Sequence, residues 1–146
     1  MAALFSDGNA APKAIETPAS IEQVEVVTEF INAELDSYGC PPKAKKQLDI
    51  AIDEVFSNIA NYAYRGSEGK ARVEILFDKG EPGVGIRFID NGVKYNPLAK
   101  DDPDITLSAE DRDIGGLGIY MTKMLTDDID YEYKDGKNIL TIIKRF

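Results

Sequence analysis

Apolar residues recur at helical spacing in a first segment that follows Ser20. Ser20 is typical of a helix N-cap, and Gln23, three residues later, completes a capping box. Gly39 suits the left-handed conformation that ends many helices. We therefore predict a helix that begins after Ser20 and ends at Tyr38. Its apolar stripe consists of Ile21, Val24, Val27, Ile31 and Leu35.

A second helical pattern begins after Pro41, since proline at position 42 is tolerated in a first helical turn. It predicts a helix from about Pro42 to Tyr64, which Arg65-Gly66-Ser67 ends. A third and shorter helix is predicted from about Gly116 to Leu125. The apolar stripe of the second helix consists of Leu48, Ile52, Val55, Ile59 and Tyr62.

Alternating apolar and polar residues predict strands in three parts of the chain. A short strand is expected at Ala14–Thr17. Ala71–Phe77 and Val84–Ile89 flank turn residues and are typical of an antiparallel hairpin. Ile129–Tyr133 and Ile139–Arg145 flank a Lys-Asp-Gly-Lys turn and predict a second hairpin.

The order of these elements favours an α+β fold, because runs of helices and runs of strands alternate in blocks. We expect a two-layer sandwich of helices on a mainly antiparallel mixed sheet. Residues 1–13 are rich in Ala, Gly, Asn and Pro and are expected to form a flexible N-terminus. Residues 14–146 are expected to form a single domain.

The stretch between Val93 and Ile114 has no apolar periodicity and is polar and acidic. A connection of about twenty residues is long for a compact domain and is usually a functional lid or a disordered segment. We interpret it as a lid.

The composition excludes several classes of function. The chain has no histidine and one cysteine, Cys40. A Ser-His-Asp triad, a histidine-ligated zinc site, a phospho-accepting histidine and a cysteine-rich metal site are therefore excluded within this chain. The net charge of −9 argues against nucleic acid and anionic lipid as partners. We expect no signal peptide and no membrane span, and a cytoplasmic protein.

The second predicted helix places three polar residues on one face. Glu54 and Asn58 lie one helical turn apart, and Asn61 shares their face. A carboxylate and an amide oxygen side by side suit a hydrated Mg²⁺, which takes one or two protein ligands together with substrate phosphates. A solvated helix face explains the same spacing, so these residues alone do not define a site.

Asp90 ends an apolar strand and is followed by Asn91-Gly92. A carboxylate in that position can accept a hydrogen bond from an exocyclic amine such as that of adenine. Gly92 would let the backbone approach a flat ring closely. An ordinary turn explains the tripeptide equally well.

Four residues, Gly115-Gly116-Leu117-Gly118, precede the third predicted helix. Backbone N–H groups at a helix N-terminus attract phosphate, although a flexible helix start explains the same residues. The chain contains neither a P-loop motif nor a strand-linked G-x-G-x-x-G, so these two nucleotide folds are unsupported.

The order of these motifs is more specific than any one of them. Glu54-x-x-x-Asn58, Asp90-x-Gly92 and Gly116-x-Gly118 resemble the N, G1 and G2 boxes of the GHKL ATPase superfamily. Gyrase, histidine kinases and mismatch-repair proteins share this Bergerat, or histidine-kinase-like ATPase, fold. Residues 48–64 (LDIAIDEVFSNIANYAY) are similar to the bacterial anti-sigma-factor serine/threonine kinases.

The resemblance implies a role for each matched position. Glu54 would activate the attacking hydroxyl or water, and Asn58 would ligate Mg²⁺. Asp90 would accept a hydrogen bond from the adenine amine, and Gly92 would line the base. The implied cofactors are ATP and Mg²⁺. The other nucleotide-binding positions are Asn61, Gly115, Gly116, Leu117 and Gly118, of which Gly116 and Gly118 would bind phosphates through backbone N–H groups.

Three positions depart from the family pattern. Tyr62 stands where members often have a histidine, which we interpret as a difference in packing. Lys94 stands where the G1 box usually has a second glycine or a proline, and we favour a solvent-exposed position for it over a phosphate contact. Arg112 lies further from the G2 glycines than the arginine of several members, so its contact with a γ-phosphate or a partner stays open.

The resemblance implies an anti-sigma regulatory factor with Mg-ATP-dependent serine/threonine kinase activity. Its substrate would be a STAS-type anti-anti-sigma protein, and it would also bind a sigma factor. The oligomeric state is not determined by the sequence, although members are often homodimers and the first helix is a candidate interface.

Three alternatives stay open. The first is an ATP-dependent switch that holds its partner without phosphorylating it, which Glu54 argues against because a switch has less need of a base. The second is the catalytic half of a sensor histidine kinase, which the absence of histidine argues against. The third is an α+β domain that has lost nucleotide binding.

Overall fold

The computed structural model describes residues 12–77, 81–99 and 116–146. Within these ranges the chain forms three α-helices and a five-stranded sheet. The helices are α1 (Val24–Tyr38), α2 (Pro42–Tyr62) and α3 (Gly116–Leu125). The strands are β1 (Lys13–Pro18), β2 (Lys70–Phe77), β3 (Gly83–Asp90), β4 (Asp128–Lys134) and β5 (Lys137–Arg145). Short 3-10 turns occupy Ile21–Gln23 and Pro97–Ala99.

The strand order in the sheet is β1-β2-β3-β5-β4, and each described pair is antiparallel. β5 therefore lies between β3 and β4, and the chain passes from β3 to β4 by way of α3. This arrangement confirms the predicted α+β class with helices on one face of an antiparallel sheet. The register places Asp90 at the end of β3 opposite Asn138 at the start of β5.

The core lies between the helices and one face of the sheet. It includes Val27, Ile31 and Leu35 of α1, Leu48, Ile52, Val55 and Phe56 of α2, and Val73, Ile75, Ile86, Phe88 and Ile142 of the sheet, each at most 2% exposed. The predicted stripes of α1 and α2 supply most of the helical contribution.

The opposite face of the sheet carries an ion-pair cluster. Glu74 of β2 is 8% exposed, and its two carboxylate oxygens accept hydrogen bonds from Arg72 Nε at 2.9 Å and Arg87 Nε at 2.7 Å. A buried carboxylate is tolerated when it is paired in this way.

Two sequence predictions about the helices were wrong in detail. The Ser20 side chain makes no capping hydrogen bond, because the first turn is a 3-10 turn in which Gln23 N–H donates to the Ser20 carbonyl at 3.0 Å. Ile21 and Tyr62 belong to the predicted stripes but are 49% and 51% exposed. Ile21 lies in the 3-10 turn, and Tyr62 is the last residue of α2. The predicted helix end is confirmed at Gly39, which has φ 90°.

No helix in the described ranges is both long enough and apolar enough to cross a membrane.

Truncation of the core at α2 should lower stability strongly. Phe56 is 0% exposed, so Phe56→Ala should lower the free energy of unfolding by about 3–5 kcal/mol. Ile50 on the same helix is 42% exposed, and Ile50→Ala should cost less than about 1 kcal/mol. Urea unfolding followed by circular dichroism measures both values, and equal losses would contradict the proposed core.

Candidate functional site

An open cleft lies between α2, the start of α3 and the end of the sheet formed by β3, β5 and β4. Its empty volume, including the open mouth, is about 510 Å³. Apolar side chains cover much of its wall, with a few polar groups among them. The apolar lining includes Val55, Ile59, Phe88, Ile119 and Leu140, and the polar lining includes Asn58, Asp90, Tyr95, Tyr131 and Asn138.

Asp90 is the buried carboxylate of this cleft, with 5% of its surface exposed. Its Oδ1 accepts hydrogen bonds from Gly92 N–H and from Asn138 Nδ2, each at 2.9 Å. Within the described ranges no donor meets Oδ2, so that oxygen can accept from a ligand. Burial raises the pKa of Asp90, and the hydrogen bonds from Asn138 and Gly92 oppose that rise.

Asn138, which the sequence reasoning missed, connects Asp90 to the loop after β3. Its Nδ2 group also donates to the Val93 carbonyl at 3.0 Å. Its Oδ1 accepts from Tyr131 Oη at 2.6 Å and from Tyr95 N–H at 3.1 Å. The alternation of β5 could have identified Asn138, because this polar residue occupies a position on the face of the strand that is otherwise apolar and directed inward.

The loop after β3 also packs on the end of α2. Val93 N–H donates to the Ala63 carbonyl at 2.8 Å. A Cβ atom at Gly92 would collide with the Ala63 carbonyl group. Tyr64 Oη accepts from Asn91 N–H at 2.9 Å and donates to the Lys70 carbonyl at 2.5 Å. The absence of a side chain at Gly92 therefore serves contact with α2, and Gly92 is not among the residues that line the cleft.

Glu54 lies at the contact between α2 and α3. An added Cβ at Gly118 would lie 2.5 Å from Glu54 Oε2, so the backbone of α3 approaches the carboxylate closely only because residue 118 is glycine. Burial raises the pKa of Glu54, and the negative charge of Asp53 raises it further. A partly buried carboxylate with a raised pKa is suited to accept a proton.

Of the remaining predicted site residues, some line the cleft, some lie outside it, and some fall outside the described residues. Asn58 lines the cleft one turn from Glu54, whereas Asn61 is exposed and is not among the lining residues. Gly116 and Leu117 open α3. Gly115, Arg112 and residues 100–114 of the predicted lid lie outside the described residues.

Lys94 is exposed, as predicted, and its Nζ lies 5.1 Å from the centre of the Tyr133 ring. This is a cation–π contact at the surface between the loop after β3 and the edge strand β4. Tyr133 is 40% exposed.

Comparison with known proteins agrees with this geometry. Residues 17–144 match the histidine kinase-like ATPase domain family. The chain is 28% identical over 131 residues to the serine-protein kinase RsbW of Listeria monocytogenes, which covers 86% of this chain and 82% of that relative. It is 29% identical over 130 residues to RsbW of Bacillus mycoides, covering 86% of this chain and 80% of the relative.

Among solved structures, the RsbU and RsbW domains of a Mycobacterium tuberculosis protein superpose with a TM-score of 0.66 at 19% identity. The match covers 93% of this chain and 32% of that longer one, and at this identity it shows the shared fold. Because the family match extends over most of the chain and agrees with the observed two-layer architecture, this protein belongs to the histidine kinase-like ATPase domain family.

Proposed function

We propose that the protein is an ATP-binding anti-sigma regulatory factor that acts as a Mg-ATP-dependent serine/threonine protein kinase. The observation that carries the proposal is the placement of Glu54 against the first turn of α3, one helical turn from Asn58 in the wall of the cleft that holds the buried carboxylate of Asp90. The curated relatives named serine-protein kinase RsbW support the same activity.

The Asp90 end of the cleft fits an adenine base. Apolar residues on α2, β3 and β5 can cover the faces of a flat ring, and Asp90 Oδ2 can accept a hydrogen bond from the exocyclic amine. We assign Asp90 to the base, with the Gly92 loop beside it.

The start of α3, next to Ile119 in the cleft wall, fits the phosphates. The first turn of α3 offers backbone N–H groups, which attract anions. We assign Gly116, Leu117 and Gly118 to the phosphates, together with Gly115 and Asn61 as further nucleotide contacts. The Asn58 amide oxygen would hold Mg²⁺, and bound Mg²⁺ would neutralise phosphate charge.

Glu54 is assigned as the base that takes the proton from the attacking hydroxyl. Its raised pKa increases its proton affinity at neutral pH, and its place beside α3 puts it near the expected phosphate position. In phosphoryl transfer a protein mainly positions groups and stabilises charge, so few catalytic side chains are needed. We propose a STAS-type anti-anti-sigma protein as substrate, a sigma factor as a second partner, a cytoplasmic location and a homodimer.

A switch that binds ATP and a protein partner without phosphorylation is the second candidate. The exposed aromatic and methionine side chains near the cleft and on α3, such as Tyr62 and Met124 at 51% and 68% exposure, could contact a partner in either case. Glu54 favours the kinase, because a switch requires no base.

Asp90→Asn should weaken ATP binding more than tenfold, because a hydrogen bond to a charged acceptor contributes about 1.5–3 kcal/mol. Isothermal titration with Mg-ATP measures this loss, and Asp130→Asn on the exposed edge strand is the matched control. Since burial raises the Asp90 pKa, acidification should weaken ATP binding at a higher pH than an ordinary aspartate would require. Equal affinity of wild type and Asp90→Asn would contradict the base assignment.

Glu54→Gln should separate chemistry from binding. Loss of a general base costs about 10²–10⁴ in rate, while ATP affinity should change by less than about threefold. Transfer of labelled phosphate from ATP to the anti-anti-sigma protein measures the rate. Wild type that binds ATP but transfers no label would support the switch instead of the kinase.

Gly118→Ala should lower kinase activity without loss of stability. The new methyl group would meet Glu54 Oε2, the end of a flexible side chain that can rotate away from its catalytic position. Alanine also favours a helix over glycine by about 1 kcal/mol, so the melting temperature should be unchanged or higher. Ile50→Ala, at a 42% exposed position of α2, is the control for both measurements. Full activity of Gly118→Ala would show that the position of Glu54 is not required.

A further inference from the structure

Both N–H groups and the oxygen of the Asn138 side-chain amide take part in hydrogen bonds. Asn138 is uncharged and belongs to none of the three sequence boxes. It is 7% exposed, and its Oδ1 accepts two hydrogen bonds. Its two N–H groups donate to Asp90 Oδ1 and to the Val93 carbonyl, with the Gly92 carbonyl as a shared third acceptor at 3.4 Å. A buried amide with satisfied donors and acceptors has one defined orientation. Such a group can fix the orientation of its neighbours.

We propose that Asn138 is a positioning residue that sets the selectivity of the site for adenine, acting through Asp90. The inference rests on the proposed nucleotide-binding function and adds a determinant of base selectivity to it. Asn138 lies opposite Asp90 in the antiparallel register of β3 and β5, so the sheet itself places the two side chains together.

The first step concerns which oxygen of Asp90 is available. Asn138 Nδ2 and Gly92 N–H both donate to Oδ1, at 2.9 Å each. An amide N–H group can only donate, so this contact favours the ionised, acceptor-only form of the carboxylate. Oδ2 is then presented as an acceptor. It can pair with the amine at position 6 of adenine, but it would repel the carbonyl oxygen that hypoxanthine carries at the same position.

The second step concerns the loop after β3. Asn138 Nδ2 donates to the Val93 carbonyl at 3.0 Å, and Asn138 Oδ1 accepts from Tyr95 N–H at 3.1 Å. Tyr131 Oη on β4 donates to the same Oδ1 at 2.6 Å. One side chain therefore holds the carboxylate and the adjoining loop in a single arrangement. The orientation of Asp90 then needs no contact from the ligand.

Asn138→Asp is the sharpest change, because it keeps the shape of the side chain and replaces one donor by an acceptor. Two carboxyl groups would then face each other where the 2.9 Å hydrogen bond is now, and such pairs retain a proton. A carboxyl pair that holds a proton no longer presents a purely accepting group to the base. Affinity for ATP should fall at least tenfold, whereas affinity for inosine triphosphate should fall much less.

The test is the ratio of two dissociation constants, those of Mg-ATP and Mg-inosine triphosphate, measured by isothermal titration at pH 7. Wild type should prefer ATP at least tenfold, and Asn138→Asp should reduce this preference to less than threefold. Thr17→Val is the matched control, since Thr17 is 6% exposed and its hydroxyl donates to the Pro18 carbonyl on β1, which lies at the sheet edge opposite β4. Thr17→Val should keep the wild-type ratio.

A second measurement is the rate of phosphate transfer. At saturating ATP, the rate of Asn138→Asp should stay within about threefold of the wild-type rate, so that the effect of the substitution appears in the KM for ATP.

Each outcome decides the proposal. A proportional loss of affinity for both nucleotides in Asn138→Asp would show a purely structural role and overturn the inference. If Asn138→Asp does not fold, Asn138→Ser and Asn138→Ala replace it, and a wild-type ratio in either folded variant would also overturn the inference. If wild type binds neither nucleotide, the proposed function itself is overturned. If wild type and the folded Asn138 variants bind nucleotide with the same preference for ATP over inosine triphosphate, only this inference is overturned.

Discussion

The packing of α2 on the sheet is the constraint on which the rest of the structure depends. Leu48, Ile52, Val55 and Phe56 bury one side of this helix in the core. Because helical residues one turn apart share a face, the same rotation presents Asn58 to the cleft and Glu54 to α3. The stability of the domain and the position of two candidate functional residues therefore depend on one buried surface.

The polar groups of the cleft are held by networks that link separate parts of the chain. Asn138 joins β5 to Asp90 and to the loop after β3, and the Ala63 carbonyl joins that loop to the end of α2. Such cross-links allow a buried carboxylate to keep a defined orientation. The cost of burial is visible in the raised pKa of Asp90 in the cleft and of Glu54 at the adjoining contact between α2 and α3. Groups with raised proton affinity in a cleft are a common feature of functional sites.

Much of the fold was determined by local sequence signals. Gly39 ended α1, the turn chemistry placed both hairpins, and α3 was predicted with its observed ends, Gly116 and Leu125. These signals are readable because backbone conformation at turns and helix ends depends on a few neighbouring residues. The capping role of Ser20 and the burial of Ile21 and Tyr62 were predicted wrongly, since they depend on how the helix ends meet the rest of the molecule.

The sequence by itself determined the residue types of the site, the order of its motifs and most of the helical residues of the core. Only the tertiary structure decided which of these residues meet. It brought Glu54 against Gly118, directed Gly92 toward Ala63, left Asn61 exposed and placed Asn138 beside Asp90. The physical reason is that Asp90 and Asn138 are 48 residues apart in the chain and become neighbours only through the pairing of β3 with β5, which no local pattern encodes.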